Sequence, residues 1–195
     1  MTDFDIKGFR CRNRKGFFMV VGLLGVDFQS SNRGCGALAY SVVEILKEVC
    51  RKKEESLDLH VVLFATEPKP QLMENENFHA HYIKIQPKKI LYWRECIRTF
   101  KKCDVIIDFT GGDSFSDIYG VKRFAIASLL KELAIASKAK FIVAPQTIGP
   151  FSNPFIRKWA KRIVRKSDVC FVRDTLSAEY TKMKFGITPF LSTDV

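Results

Sequence analysis

Short runs of Val, Ile, Leu and Phe recur along this chain, and a longer amphipathic stretch follows most of them. The runs Phe17–Leu24, Leu57–Phe64, Val105–Ile107, Phe141–Ala144 and Val169–Val172 are largely apolar on consecutive residues rather than on alternate ones. A strand reads that way when both of its faces are buried, as inside a parallel sheet. The stretches Ala37–Lys52, Lys88–Lys102, Val121–Ser137, Pro154–Lys166 and Thr175–Phe185 carry apolar residues at helical spacing instead. Strands alternating with helices imply right-handed crossovers, so the expected fold class is α/β, a doubly wound, mainly parallel, Rossmann-like sheet. The segment Glu67–Gln86, rich in proline and followed by Pro87, reads as an irregular surface excursion. With no internal repeat and no low-complexity linker, residues 1–195 read as a single domain.

Composition narrows the function classes. The longest apolar run, Phe17–Val26, is shorter than the roughly 20 residues of a membrane-spanning helix, and no signal-peptide cleavage pattern follows it. A cytoplasmic protein is expected. Six cysteines (Cys11, Cys35, Cys50, Cys96, Cys103 and Cys170) lack any CxxC spacing, which argues against a zinc site or a disulfide framework, and no metal is expected. The formal charge of +11 favours anionic partners. An RNA-binding aromatic signature, a zinc finger and a recognition-helix motif are all lacking, so nucleic acid is not expected among them.

The stretch from Pro154 illustrates how local chemistry sets a helix. Ser152 or Asn153 can cap it, Pro154 suits the first helical position, and Phe155, Ile156, Trp159, Ala160, Ile163 and Val164 form an apolar face. The opposite face carries Arg157, Lys158, Lys161, Arg162, Arg165 and Lys166. Its plainer reading is a solvated helix face; the functional one is peripheral contact with an anionic membrane at its inner face, or with a glycolipid carrier.

Four strand-to-helix junctions stand out: Gln29–Gly36, Phe109–Gly120, Pro145–Pro154 and Arg173–Ser177. In a parallel sheet all such junctions emerge at the carboxyl edge, where open α/β folds bind ligands. The candidate binding residues are therefore Asn32, Gly34, Gly111, Gly112, Ser114, Gln146, Thr147, Arg173, Asp174 and Ser177. Each has a plainer reading. Gly111 and Gly112 can make a tight turn, Asp113, Ser114 and Asp117 can cap a helix, Asp174 and Ser177 can start one, and Gln146 and Thr147 can be ordinary loop polars. Arg173 at a strand end has no such explanation, and four junctions converging on one edge favour a site.

Taken in order, Asn32, Gly34 and Ala37, the GGD stretch between Asp108 and Asp117, APQTIGPF at 144–151, VRDTLS at 172–177, Phe185 and Gly186, and the terminal STDV resemble the polysaccharide pyruvyl transferase family over about residues 17–195. The ordered set carries the likeness, PQTIGPF and RDxxS most of all. The first junction departs from the pattern, with Cys35 and Gly36 where the family often has an acid, and Cys35 has no evident histidine partner for a nucleophilic role.

The resemblance implies transfer of the pyruvyl group of phosphoenolpyruvate to two hydroxyls of a sugar, or of a lipid-linked oligosaccharide, in surface exopolysaccharide biosynthesis. Phosphate is released, and no cofactor beyond the donor substrate is implied. A phosphate and a carboxylate on the donor call for a bidentate cation, and Arg173 is the candidate clamp. Asp113 and Asp117 are the candidate catalytic carboxylates, oriented toward sugar hydroxyls. The family also implies a GT-B-like arrangement of two Rossmann-like lobes, the second holding a catalytic His and further donor-binding basic residues. The present chain then corresponds to the amino-terminal half, expected to be weak or inactive alone. His60, His79 and His81 read as exposed or structural. Two alternatives are a GT-B-like glycosyltransferase using a nucleotide sugar and a noncatalytic glycan-binding lobe; fold alone does not separate them.

Overall fold

The computed structural model describes residues 18–64, 66–110 and 114–193, with Ser114 described as backbone only. Its centre is a seven-stranded sheet built from β1 (Phe18–Leu24), β2 (Ser56–Phe64), β3 (Phe78–Ile85), β4 (Val105–Asp108), β6 (Lys140–Val143), β8 (Val169–Val172) and β9 (Phe190–Leu191). The spatial order is β3-β2-β1-β4-β6-β8-β9, and every pairing is parallel. The chain thus runs outward from β1 through β2 to β3, returns to lay β4 on the other side of β1, and continues outward again. That reversal between β1 and β4 is the switch point of a doubly wound sheet. Two short strands, β5 (Ser114–Phe115) and β7 (Thr147–Ile148), pair separately above the edge.

Helices cover both faces because the central strands are apolar on both. Against one face lies α1 (Arg33–Lys52), whose Ala39, Val42, Val43 and Leu46 pack on Met19, Val21, Leu57 and Leu59. Against the other lie α2 (Ile90–Phe100), α3 (Val121–Ala136) and α4 (Pro154–Lys166), which bury Phe100, Leu130, Ala134, Ala160 and Ile163 on Val20, Ile106 and Phe141. Each large side chain fully buried there contributes roughly 1.5–3 kcal/mol. An aromatic cluster of Phe115, Phe124, Phe151, Trp159, Tyr180 and Phe185 binds the loop after β6 to this layer, with neighbouring ring centroids 5.3 to 6.2 Å apart.

The expected strands and helices are present, apart from Phe17, which lies outside the described residues; the short strands β5, β7 and β9 are additional, and three further differences stand out. First, Glu67–Gln86 contains β3, a full edge strand. Its sequence FHAHYIKI buries Phe78, Ile83 and Ile85 but exposes His79 and His81, so it lacks the continuous apolar character of the central strands. Second, α1 begins at Arg33 rather than Ala37, because the Asn32 side chain accepts the Gly34 N–H at 3.0 Å and starts the helix early. Gly34 and Gly36 are therefore helical rather than loop residues. Third, the last predicted helix divides into α5 (Thr175–Tyr180) and a π-helical turn over Thr181–Phe185, which Gly186 ends in a left-handed conformation. At α4 the expectation holds in detail: Asn153 is the cap, accepting from Phe155 and Ile156 N–H, and Pro154 follows it. No helix among the described residues is long and apolar enough to cross a membrane.

Candidate functional site

All four junctions open at the carboxyl edge, and the fold groups their residues into two neighbouring sets. The first surrounds a cavity of about 480 Å³ at the β1/β4 switch point. Leu24 to Asp27 contribute from the end of β1, Leu63 and Phe64 from β2, and Asp108 and Thr110 from β4. Ser30, Asn32 and Cys35 line it from the first junction, Ser116 and Tyr119 from the second, and Arg123, Phe124 and Lys131 from α3. The walls therefore combine apolar rings with carboxylates, hydroxyls, an amide and two cations, a composition suited to a polar organic ligand.

At the floor of this cavity stands an ion pair. Lys131 and Asp108 are 1% and 2% exposed, with Nζ to Oδ1 at 3.0 Å, and the ammonium lies 4.6 Å from the centroid of the Phe115 ring. Burial pushes the Lys131 ammonium below its ordinary value, while the charge and hydrogen bond of Asp108 oppose that shift. The other oxygen of Asp108 accepts from the Thr110 hydroxyl at 2.8 Å and from Gln146 Nε2 at 3.2 Å. Thr110 has φ of 45°, a left-handed conformation that a β-branched residue rarely adopts. Asp108 thus holds the turn leading out of β4 in a strained geometry, and Lys131 neutralises the buried carboxylate that does so. Sequence reasoning missed Lys131: an amphiphilic residue within the apolar helix VKRFAIASLLKELAIA gives no local sign that its head points inward. Above this pair, burial pushes the Glu67 carboxyl above its ordinary value; the hydrogen bond from Phe64 N–H opposes this and the charge of Asp27 adds to it.

The second set is a hydrogen-bond network between the third and fourth junctions. Arg173 Nε donates to Thr147 Oγ1 at 2.9 Å, and Thr147 Oγ1 donates to Asp174 Oδ2 at 3.0 Å. Asp174 caps α5 by accepting from Ser177 N–H at 2.7 Å and from the Ser177 hydroxyl at 2.9 Å. The buried Ser177 hydroxyl in turn accepts from Ile148 N–H at 3.0 Å. Burial alone would raise the Asp174 carboxyl, but the hydrogen bonds from Ser177 and Thr147 and the charge of Arg173 outweigh it and hold the group below its ordinary value. The two sets meet at Gln146, which is fully buried, bonds Asp108 through its side chain, and accepts the Arg173 N–H through its carbonyl.

Of the residues singled out in the sequence, Asn32 lines the cavity, and Gly34 supports it from within α1. Gln146, Thr147, Arg173, Asp174 and Ser177 form the network and its bridge. Gly111, Gly112 and Asp113 lie outside the described residues, as does the Ser114 side chain. Asp117 sits apart from the cavity lining and has a fixed structural task. Its two oxygens accept the Ser152 N–H at 3.1 and 3.0 Å, and one accepts the Asn153 N–H at 3.0 Å, so it ties the second junction to the start of α4. On α4, Arg162 pairs with Glu132 and Lys161 Nζ donates to Lys184 O, so part of the basic face is engaged within the fold.

Comparison with known families matches residues 32–195 to the model described as polysaccharide pyruvyl transferase. Among curated proteins, none matches the chain significantly.

Proposed function

The chain belongs to the polysaccharide pyruvyl transferase family, and on that premise we propose that its carboxyl edge binds phosphoenolpyruvate and a sugar, forming a pyruvyl ketal on the sugar. The observation that carries this reading is the convergence of Asn32, the Gln146–Thr147 stretch and the Arg173–Ser177 stretch on one edge, where Gln146 links the Arg173 network to the cavity at the switch point. In the proposal the two sets divide the work. Arg173 clamps the donor's phosphate or carboxylate, its guanidinium steadied by Thr147. The cavity takes the acceptor, whose hydroxyls suit Asp27, Glu67, Ser30 and Asn32, with the Tyr119 ring as an apolar wall.

The chemistry has a definite balance. One sugar hydroxyl adds to C2 of phosphoenolpyruvate while C3 takes a proton and becomes a methyl group. The bond from C2 to the phosphate oxygen then breaks, and inorganic phosphate leaves with the bonding pair. The second hydroxyl adds to the resulting oxocarbenium-like centre and loses its proton, closing the ketal. An acid and a base are required, and Asp113, from the GGD stretch that carries the family likeness, is assigned to accept a hydroxyl proton. Asp117, fixed by the Ser152 and Asn153 N–H groups, is the second candidate carboxylate for orienting the sugar hydroxyls. A second lobe of the family's kind would bring the acid.

Phosphate release from phosphoenolpyruvate, followed across a panel of sugar acceptors, tests the reaction. Release that depends on an acceptor is expected, with a loss of about a hundredfold or more in Asp113→Asn. Normal turnover in that variant removes Asp113 from the mechanism. Saturation by a nucleotide sugar, with phosphoenolpyruvate ignored, moves the chain to the glycosyltransferase reading.

A further inference from the structure

Away from the carboxyl edge, the pairing of β2 with β3 creates a second cluster of ligating side chains. Asp58 and His60 alternate on β2, and His79 and His81 alternate on β3. The register sets Asp58 opposite His79 and His60 opposite His81, so all four leave the same face of the sheet. Asp58 Oδ1 lies 3.4 Å from His60 Nε2 and 3.0 Å from His81 Nε2, and the ligand atoms of these three residues all lie within 4.8 Å of one another. The His60 and His81 rings stack with centroids 4.8 Å apart. Asp58 Oδ1 is buried, and both imidazole nitrogens converge on it.

From this arrangement we infer a binding site for a divalent transition metal of the zinc class, with Asp58, His60 and His81 as ligands. Nitrogen and oxygen ligands about 2.0–2.2 Å from a tetrahedral ion stand roughly 3.3–3.6 Å from each other; the Asp58–His60 separation of 3.4 Å falls in that range, and the Asp58–His81 separation of 3.0 Å is slightly shorter. Two imidazoles and one carboxylate select zinc, cobalt, nickel or copper over magnesium and calcium, which prefer all-oxygen sets. A buried carboxylate oxygen facing two imidazole nitrogens is an arrangement that a shared cation would hold together. His60 is only 14% exposed and fixes one ligand, whereas His81 is 55% exposed and leaves a route for the ion and a fourth position for water. The ion would staple the edge strand β3 to β2 and stabilise the fold rather than act in the transfer reaction.

Cobalt(II) titration of untagged, chelator-treated protein tests the site, read by visible d–d absorption and checked by zinc calorimetry. One saturable equivalent with tetrahedral intensity is expected, together with a higher melting temperature for the metal-loaded protein. His60→Ala and His81→Ala should each weaken binding at least about tenfold, and the exposed position of His81 makes the second variant the safer one for folding. Absence of saturable binding at micromolar metal, or unchanged stoichiometry and affinity in both variants, would overturn the assignment.

Discussion

At the residue scale, the carboxyl edge depends on Asp108 and Lys131. Each is buried, each compensates the other, and Asp108 also fixes Thr110 and Gln146. Replacing Lys131 by Met keeps the volume but leaves a buried carboxylate uncompensated. Chemical denaturation of that variant should therefore show a loss of about 3–5 kcal/mol. A loss below about 1 kcal/mol would mean that the pair is not coupled to folding. Gly149 is the other position where a single atom decides. Its φ is 76°, and a Cβ there would come within 2.7 Å of the Tyr180 ring. Thermal melting of Gly149→Ala should reveal a loss of at least about 1 kcal/mol from backbone strain alone, with the ring clash added; a wild-type melting temperature would contradict this. Both effects differ in how they could be foreseen. Gly149 lies inside PQTIGPF and was visible as part of a motif, whereas nothing around Lys131 signals its burial. The same holds for Asp58, His60 and His81: their alternation on two strands was in the sequence, but only the register brings them together.

At the scale of elements, Asp174 governs how α5 is anchored. Its carboxylate caps the helix and ties it to Thr147 and Arg173, and these bonds hold its folded pKa below the unfolded value. A depressed carboxyl contributes stability that is present above the unfolded pKa of about 3.9 and is lost as pH falls through the folded value. Denaturation midpoints should therefore drop between pH 5 and the acid limit, and Asp174→Asn, which still caps but does not titrate, should flatten that slope. An unchanged slope would assign the acid sensitivity to other carboxyls. The elements themselves were legible to different degrees, for physical reasons. Central strands β1 and β4 are buried almost throughout, and β6 and β8 are buried on one face and partly covered on the other, so all four announce themselves as apolar runs. Edge strand β3 is half solvated, so its alternating FHAHYIKI resembled a surface segment. The two-residue strands β5, β7 and β9 are too short for any periodicity. Helix starts were legible where a cap stood before a proline, as at Asn153, and misplaced at Asn32, where two glycines disguised the first turn.

For the molecule as a whole, the parallel order of the sheet makes four distant motifs neighbours. That much followed from the sequence pattern, because every strand-to-helix junction of such a sheet lies at one edge. What did not follow was the division of the edge into a cavity at the switch point and an Arg173 network beside it, since that depends on which side chains turn inward. The central claim is that this edge holds the donor anion through Arg173. Isothermal titration of phosphoenolpyruvate into the wild type and into Arg173→Ala tests it most directly. The account predicts saturable binding that weakens at least about tenfold in the variant, in line with the loss of a charge-assisted pair. Equal binding by both proteins would contradict it.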